Sequence, residues 1–478
     1  MNAKIVLILF IPFILGCSKE NKSKKPNILF FLVDDMGWAD VGYQGSQVYK
    51  TPSIDKLAAS AMQFENAYVT HPRCVPSRYS IYTGKYPARI DRPGPGKMPL
   101  EDFTIAEALK EIGYSTFFTG KWHLAMGGIS FPENQGFDIN IGGGHPGAPI
   151  SYFWPYNEPP HHQFKDSIHG LETGETGEYL TDRLTTETIK YIKQHNSTNP
   201  DQPFFAMVSH YAVHEPLEAK QEYIDKFQKI IDTTQFQHPE YLAESNGLTK
   251  MRQDYAPYAA MVYSVDESLG KIMQTLEDLD IDENTIIFFF SDNGGLSNTG
   301  TEKRLLATSN YPLRAGKGHL YEGGVRVPLI VKWPEYTRKG ARSKAVVTGC
   351  DFYPTILNMV EKELLPEHHL DGESFTWALK EKENPNPDRA VYWHNGVARP
   401  VRTGDYYSSS VRQGKYKLID YYKQNRVELY DVEADFMETK NLAQELPELA
   451  DSLQKQVIQW RDEIDVFYQP DKKKSKWE

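Results

Sequence analysis

The chain has 478 residues, of which 40% are hydrophobic and 24% charged, a composition typical of a globular protein with a large core. Its length predicts two or more lobes. The formal net charge of −11 argues against a broad nucleic-acid-binding face, so we expect no nucleic-acid partner. Three cysteines are too few for a disulfide scaffold, and each needs its own explanation.

The N-terminus is predicted to be a targeting segment. Lys4 precedes an apolar run over 5–15 that is too short to span a bilayer as a mature helix. The run ends in a tetrapeptide that resembles a bacterial lipoprotein cleavage box, with Cys17 as the lipidated residue; a plain secretory signal is the alternative. We predict a lipoprotein signal peptide over 1–17, a polar tether over 18–25, and an exported body in the periplasm or at the cell surface, attached to the membrane only by lipid.

Apolar runs alternate with helical spacing through most of the chain. The run Asn27–Val33 lacks polar alternation, which is typical of a strand buried on both faces of a parallel sheet. Further strands are predicted over 115–119, 204–208 and 286–291, and helices over 51–61, 104–112, 180–195 and 255–279. Strands that alternate with helices predict a doubly wound α/β sheet.

The last quarter of the chain has a different pattern. Short alternating segments over 390–394, 416–421 and 427–429 predict a small antiparallel sheet, followed by a helix over 446–464 and a basic tail over 472–476. We therefore divide the body into a catalytic α/β domain over 26–385 and a C-terminal α+β subdomain over 386–478.

Residues capable of catalysis or metal binding stand just after four predicted strands. They are Asp34 and Asp35, then Lys121 and His123, then His214, and finally Asp292 and Asn293. Ligands of open α/β sheets bind beyond the carboxyl ends of the strands, so we expect these side chains to share one site. The acids and the amide offer oxygen ligands, which suit a hard divalent cation, calcium best of all. Solvated strand-end turns are the alternative for either pair alone.

Cys74 lies between two prolines and has an arginine on each side. Pro76 predicts that a helix begins just after Cys74. A side chain at that place lies near the positive end of the helix, where an anion is favoured. A buried free cysteine is the alternative, and we interpret Cys350 in that way.

Together these motifs resemble the type I sulfatases, the formylglycine-dependent branch of the alkaline phosphatase superfamily. The matching stretches are 26–35, 51–55, 64–68, 74–78, 83–85, 120–124, 136–138, 292–294 and 314–328. The most specific is Cys-x-Pro-Ser-Arg with a downstream Thr-Gly. The resemblance implies an alkaline-phosphatase-like fold, in which a doubly wound, mostly parallel sheet is joined to a smaller C-terminal antiparallel-sheet plus helix subdomain. It also implies hydrolysis of sulfate esters.

The resemblance further implies a role for each matched residue. A formylglycine-generating maturation enzyme would oxidise Cys74 to formylglycine (3-oxoalanine), whose hydrate is the nucleophile. A geminal diol suits this task because its second hydroxyl can expel sulfate, whereas an ordinary hydroxyl would leave a stable sulfate ester. The remaining roles are calcium binding by Asp34, Asp35, Asp292 and Asn293 together with residue 74, orientation of residue 74 by Arg78, sulfate binding by Lys121 and Lys317, base catalysis by His123 and acid catalysis by His214.

The predicted substrate is a sulfated glycan or oligosaccharide at the cell surface. Candidate contacts are His145 and Trp154 in a glycine- and aromatic-rich loop over 142–162, together with Arg314, His394 and Arg399, and Trp393 is a candidate for the pocket wall. One alternative function is a phosphate or phosphonate monoester hydrolase of the same superfamily. Another is a non-catalytic glycan-binding surface lipoprotein, against which the filled catalytic and metal positions argue.

Overall fold

The computed structural model describes residues 24–90, 98–125, 127–156, 168–244 and 246–466. The predicted signal peptide, its Cys17, most of the tether and the basic tail lie outside these residues. Within them, no helix combines the length and the apolar character needed to cross a membrane.

The described elements follow an α/β order. The strands are β1 (Asn27–Val33), β2 (Met62–Tyr68), β3 (Ser115–Gly120), β4 (Ile139–Ile141), β5 (Phe204–Ser209), β6 (Tyr241–Glu244), β7 (Gly247–Lys250), β8 (Thr285–Ser291), β9 (Asn298–Thr299), β10 (Leu329–Lys332), β11 (Arg342–Thr348), β12 (Ala390–Asn395), β13 (Ser408–Gln413), β14 (Tyr416–Tyr421) and β15 (Arg426–Asp431). The helices are α1 (Pro52–Ser60), α2 (Cys74–Thr83), α3 (Ile105–Glu111), α4 (Leu180–Thr198), α5 (Gln221–Thr233), α6 (Ala256–Asp278), α7 (Glu322–Val325), α8 (Phe352–Met359), α9 (Thr376–Leu379) and α10 (Pro447–Glu463).

An eight-stranded sheet forms the centre, in the order β11-β2-β10-β8-β1-β5-β3-β4. β10 runs antiparallel to both of its neighbours, and the other adjacent strands are parallel. This confirms the predicted mostly parallel α/β sheet. β1 lies between β5 and β8, so the residues that follow these three strands meet at one edge.

Helices cover both faces of this sheet, which explains why β1 is apolar throughout. Successive side chains of a strand point to opposite faces. Ile28, Phe30 and Leu32 pack with residues of α2, α3 and α8. Leu29, Phe31 and Val33 pack with residues of α1, α4 and α6 on the other face.

The C-terminal region is an antiparallel sheet in the order β12-β13-β14-β15, with α10 packed against it. Its sheet and helix confirm the predicted C-terminal architecture. The chain division at residues 385 and 386 stays a prediction.

The structure differs from the sequence-based prediction in two ways. Helix α2 begins at Cys74 itself, with Arg73 as its N-cap, rather than just after Cys74. The strands β2, β4, β9, β10, β11 and β13, the hairpin β6–β7 and the helices α5, α7, α8 and α9 were not predicted. Polar residues interrupt several of them, such as Gln63 and Asn66 in β2 and the serines of β13, and hide the apolar signal.

Candidate active site

Three carboxylates converge where β1 and β8 end. The two strands are parallel and in register, with Val33 opposite Ser291, so the residues that follow them lie side by side. Oxygens of Asp34, Asp35 and Asp292 lie within 4.8 Å of one another, and all three residues are buried. The three aspartates that the sequence analysis expected to share one site therefore lie together in the structure.

The backbone at this edge fixes the acids in place. Asp35 has a φ of 60°, the left-handed region, and its amide donates to Asp292 Oδ1 at 3.1 Å. The Asp34 amide donates to the Ala212 carbonyl at 3.1 Å. Asn293 Nδ2 donates to Asp35 Oδ1 at 2.7 Å. The carboxylates are therefore held by several elements rather than by one flexible loop.

Each carboxylate has a close cationic partner, and Asp34 has a second, more distant one in Arg78 Nη2, 3.8 Å from its Oδ1. Lys121 Nζ lies 2.5 Å from Asp34 Oδ2, and Arg78 Nε lies 2.8 Å from Asp292 Oδ2. Lys317 Nζ lies 2.5 and 2.7 Å from the two oxygens of Asp35. These contacts bring both predicted sulfate-binding lysines and Arg78 to the same edge of the sheet.

The charges shift the pKa values of the acids in opposite directions. Burial on its own would raise the pKa of Asp35, but the charges of Lys317, His214 and Lys121 hold it well below its usual range. The pKa of Asp292 is raised to about 6, first by burial and then by the charge of Asp34. Asp292 is therefore harder to ionise than an ordinary aspartate, because it is buried beside the negative charge of Asp34.

Two buried oxygens at this edge accept no hydrogen bond from the described part of the chain. They are Asp34 Oδ1 and Asn293 Oδ1. Leaving a buried acceptor unpaired costs free energy, about 1–3 kcal/mol each, so a ligand for them is expected. Carboxylate and amide oxygens are what a hard divalent cation prefers, so this donor set fits calcium.

Cys74 is the first residue of α2 and is 8% exposed. Its Sγ lies 3.5 Å from His123 Nδ1. A Cβ added to Gly147 would lie 2.2 Å from Cε1 of His123, so only glycine allows this close approach. Burial, then the charges of Lys121 and Arg78, lower the pKa of His123 well below its usual value. His123 is therefore neutral and adjacent to the thiol.

Arg78 follows Cys74 by one turn of α2 and is fully buried. Its Nη1 donates to the Lys121 carbonyl and to Ser209 Oγ, both at 2.6 Å. Together with its bond to Asp292, these contacts tie α2 to the ends of β3, β5 and β8. Ser209 was not identified from the sequence, where it is an ordinary strand-end serine.

His214 approaches the acids from the loop after β5. Its Nδ1 lies 2.8 Å from the Glu215 carbonyl and must donate to it, and its Nε2 lies 3.8 Å from Asp35 Oδ2. Burial and the charge of Lys317 lower the pKa of His214 to about 4. The Tyr152 hydroxyl contacts the His214 carbonyl at 2.9 Å, so buried Tyr152 positions this loop.

The predicted substrate contacts are dispersed. Arg314 makes two 2.8 Å contacts with the carboxylate of Glu244 and one with the Glu438 carbonyl. His394 is buried and lies 2.8 Å from Ser409 Oγ. Both side chains are part of packed structure.

The aromatic candidates differ in exposure. Trp393 is buried and donates from Nε1 to the Val69 carbonyl, so the idea that it lines an open pocket is wrong. Trp154 is half-buried and packs beside Gly174. His145 is half-buried and follows Gly144, whose carbonyl accepts from the His123 amide at 3.0 Å. The residue before His145 is thus hydrogen-bonded to His123, whose ring lies beside the Cys74 sulfur.

Arg73 is a residue of this site that sequence reasoning missed. It is buried, and its Nη2 lies 2.8 and 2.9 Å from the two oxygens of Asp405. Its Nη1 donates to Asn395 Oδ1 and to the Val397 carbonyl. The C-terminal sheet is thereby joined to the residue that precedes Cys74. Adjacency to Cys74 was visible in the sequence, but the distant partner was not.

Comparisons with known protein families agree with this site. A family model described as "Sulfatase" matches residues 26–361. A second, described as "N-sulphoglucosamine sulphohydrolase, C-terminal", matches residues 315–463.

Several characterised proteins are similar to the chain. Arylsulfatase J of Mus musculus is 33% identical, over 73% of this chain and 55% of the relative. A sulfatase of Formosa agariphila is 30% identical, over 93% of this chain and 90% of the relative. An N-acetylgalactosamine-6-O-sulfatase of Bacteroides thetaiotaomicron is 27% identical, over 93% and 96%.

A solved structure, that of Ps i-CgsB in complex with k-i-k-neocarrahexaose, is also similar. It has a TM-score of 0.73 and 30% identity, and the alignment covers 93% of this chain and 95% of that one.

Proposed function

The chain belongs to the sulfatase family and is a sulfuric ester hydrolase, and on this premise we propose that it removes sulfate from sulfated carbohydrates. The observation that carries the proposal is the convergence of a cysteine, two lysines, two histidines and a cation-fitting set of oxygens at one edge of the sheet. The names of similar proteins support a sugar substrate.

We propose that calcium is held by Asp34, Asp35, Asp292 and Asn293, beside a formylglycine made from Cys74 by a maturation enzyme. Asp34 Oδ1 and Asn293 Oδ1, which accept no hydrogen bond among the described residues, support the cation. When bound, calcium supplies positive charge that lowers the pKa of a nucleophile and offsets negative charge in the transition state. Formylglycine supplies a hydrate hydroxyl as the nucleophile.

Two lysines of this chain bind the sulfate oxygens in this proposal. Lys121 and Lys317 each form an ion pair with one aspartate, and an ammonium group has further donors available. Arg78 is a positioning residue, because its buried guanidinium orients α2 and hence residue 74.

Two histidines of this chain move protons. His123 lies 3.5 Å from the Cys74 sulfur and is neutral, so it can accept a proton from a group at position 74. His214 donates to the departing alcohol through Nε2, assisted by Lys317. An anionic substrate beside His214 opposes the charge of Lys317 and raises the pKa of the ring towards the range in which it can donate.

Sulfate release from a panel of sulfated oligosaccharides tests the proposal. We expect matured wild type to release sulfate, Cys74→Ala to lose activity by a factor on the order of 10³ or more, and the matched control Cys350→Ala, at a cysteine outside the site, to remain active. Substantial activity in Cys74→Ala would refute the mechanism.

Two further measurements separate this proposal from the alternatives. Sulfate and phosphate monoesters of one alcohol are compared, and preferred phosphate release would overturn the sulfatase substrate. Mass spectrometry of the peptide that contains Cys74 tests the modification, and finding only thiol in active protein would exclude formylglycine.

We also propose export as a lipoprotein through Cys17. Metabolic labelling with a radioactive fatty acid is expected to label wild type but not Cys17→Ala. Equal labelling of the two proteins would exclude Cys17 as the anchor.

A further inference from the structure

Arg399 lies on an exposed turn beside the residue that precedes Cys74. The turn is tied to Arg73, because Arg73 donates to the Val397 carbonyl at 3.0 Å and the Arg399 amide donates to Asp405 Oδ2 at 3.2 Å. Among the described residues, no hydrogen bond or ion pair engages the Arg399 guanidinium. An unpaired cation therefore stands near the position of the nucleophile.

The neighbouring arginines are all paired. Arg73 has the carboxylate of Asp405, Arg304 lies 2.6 Å from Glu215, and Arg402 lies 3.8 Å from Glu302. Arg399 instead experiences the repulsion of Arg73, which is the main reason why the pKa of Arg399 is lowered to about 10. A guanidinium kept beside a like charge, and without a partner among the residues that the structure describes, is suited to an anion from outside.

The turn that carries Arg399 is fixed. The Arg399 carbonyl accepts hydrogen bonds from the amides of Thr403 and Gly404 at 3.0 and 3.2 Å. Asp405, which anchors the amide of Arg399, also accepts from Asn395 Nδ2 at 2.8 Å. Since the backbone is already ordered, an anion that binds here pays little to order the loop.

Arg399 also differs from the two lysines at the acids. Lys121 is buried against Asp34 and Lys317 is half-buried against Asp35, whereas Arg399 is exposed. When the sulfate to be cleaved is bound by the two lysines, Arg399 is still available to bind a different group of the substrate.

We infer that Arg399 binds a second anionic group of the substrate, a sulfate or a carboxylate on the cleaved sugar or its neighbour, and thereby sets specificity. This inference rests on the proposed function. The preferred substrates then carry at least two anionic groups, and the identity of the sugar stays open.

The test compares oligosaccharides of one sequence that carry one sulfate, two sulfates, or one sulfate and one carboxylate. We expect wild type to prefer one of the dianionic substrates by about 10- to 100-fold in kcat/KM, mainly through KM. In Arg399→Ala this preference should fall to about threefold or less, while Arg399→Lys should keep part of it, because lysine keeps the charge but loses the planar fork. The two dianionic substrates distinguish sulfate from carboxylate.

Arg402→Ala is the matched control, because Arg402 is an arginine of the same turn whose partner is Glu302. It should keep the wild-type preference. Equal preference in wild type and Arg399→Ala, or no preference in wild type, would overturn the inference. Release of no sulfate from any substrate would instead overturn the proposed function. The inference is then tested by calorimetric binding of the three oligosaccharides to Cys74→Ala, with and without Arg399→Ala.

Discussion

Two buried clusters of charge in this protein are built in contrasting ways. The catalytic cluster consists of Asp34, Asp35, Asp292 and Asn293 with their cationic partners. The junction cluster consists of Glu322, Glu438, Lys417 and Arg326, and it joins the eight-stranded sheet region to the four-stranded sheet through Lys417 of β14.

At the junction, three of the four carboxylate oxygens accept a hydrogen bond, and the fourth, Glu438 Oε1, has the ammonium of Lys417 close by. Lys417 Nζ lies 2.9 Å from Glu322 Oε1 and 3.2 Å from Glu438 Oε1. Arg326 Nε lies 2.6 Å from Glu322 Oε2, and the Glu322 amide donates to Glu438 Oε2 at 2.7 Å. The catalytic cluster leaves two oxygens without hydrogen bonds. The junction oxygen without a hydrogen bond lies 3.2 Å from an ammonium, whereas Asp34 Oδ1 lies 3.8 Å from Arg78 Nη2 and is the looser ion pair. The junction cluster therefore has its charges paired at close range to hold the fold, and the catalytic cluster has oxygens that can accept a bound cation.

The largest effect is expected at the catalytic cluster. In Asp292→Asn the amide oxygen can still accept from Arg78, but a charged calcium ligand is lost. We expect kcat/KM for sulfate release to fall on the order of 10³-fold. The free energy of unfolding of the metal-free protein should fall by about 1–3 kcal/mol, because the new NH2 group faces the Asp35 amide, which donates to Asp292 Oδ1 in the wild type. Steady-state kinetics and urea unfolding measure the two. Asp182→Asn, away from the site, is the control, and a loss of less than tenfold would contradict the proposed role.

The opposite outcome is expected at the junction cluster. Lys417→Met removes the ammonium shared by Glu322 and Glu438, so buried Glu438 loses its ion pair and buried Glu322 keeps Arg326 alone. We expect the free energy of unfolding to fall by about 3–5 kcal/mol, while kcat of the folded protein stays near wild type. Adding Glu438→Gln should recover part of the loss, because the surviving carboxylate then has Arg326. A double variant no more stable than the single one would show that the charges are not coupled.

Calcium should distinguish the two clusters directly. At a free calcium concentration one hundred times Kd, the wild type should gain about 2.7 kcal/mol against unfolding. Differential scanning calorimetry with chelator and with calcium measures this gain. Lys417→Met should show the same gain, and Asp292→Asn should show little. A gain in Asp292→Asn equal to that of wild type would place the cation elsewhere.

The smallest effect concerns pH at the junction. Burial, with the charge of Glu322 and against that of Lys417, raises the pKa of Glu438 from 4.5 to about 7. The folded state therefore favours the protonated form. This contribution to stability is complete below the unfolded pKa and is lost as pH rises to about 7. Relative to Glu438→Gln, wild type should lose on the order of 1–3 kcal/mol between pH 4.5 and 7. Parallel curves from urea unfolding would show that Glu438 does not titrate there.

The catalytic cluster was predictable from the sequence because its residues follow apolar strands directly. Strand ends in a parallel sheet meet at one edge, so Asp34 and Asp292 could be placed together without knowing how the chain connects them. The central strands were predictable for the same reason, since β1 and β8 are buried on both faces and contain no polar interruption.

The junction cluster and the predicted substrate contacts were not predictable in this way. Arg314 lies in a family motif, but its guanidinium turns to Glu244 of a hairpin that the sequence did not indicate. Arg73 and Asp405 are 332 residues apart, and nothing in either segment identifies the other. A long-range ion pair between polar residues has no periodicity to detect, whereas a buried strand has one.

The same separation of Arg73 and Asp405 sets an order of events during synthesis. The surroundings of Cys74 are complete only when the segment that ends at Asp405 has been made and has docked. At about 5–20 residues per second, that segment follows Arg73 by roughly 20 s to a minute. Throughout that interval the nascent chain presents Cys74 without its C-terminal neighbours. Any enzyme that must enclose this side chain has its best access then, and the folded protein, in which Cys74 is 8% exposed, closes that access.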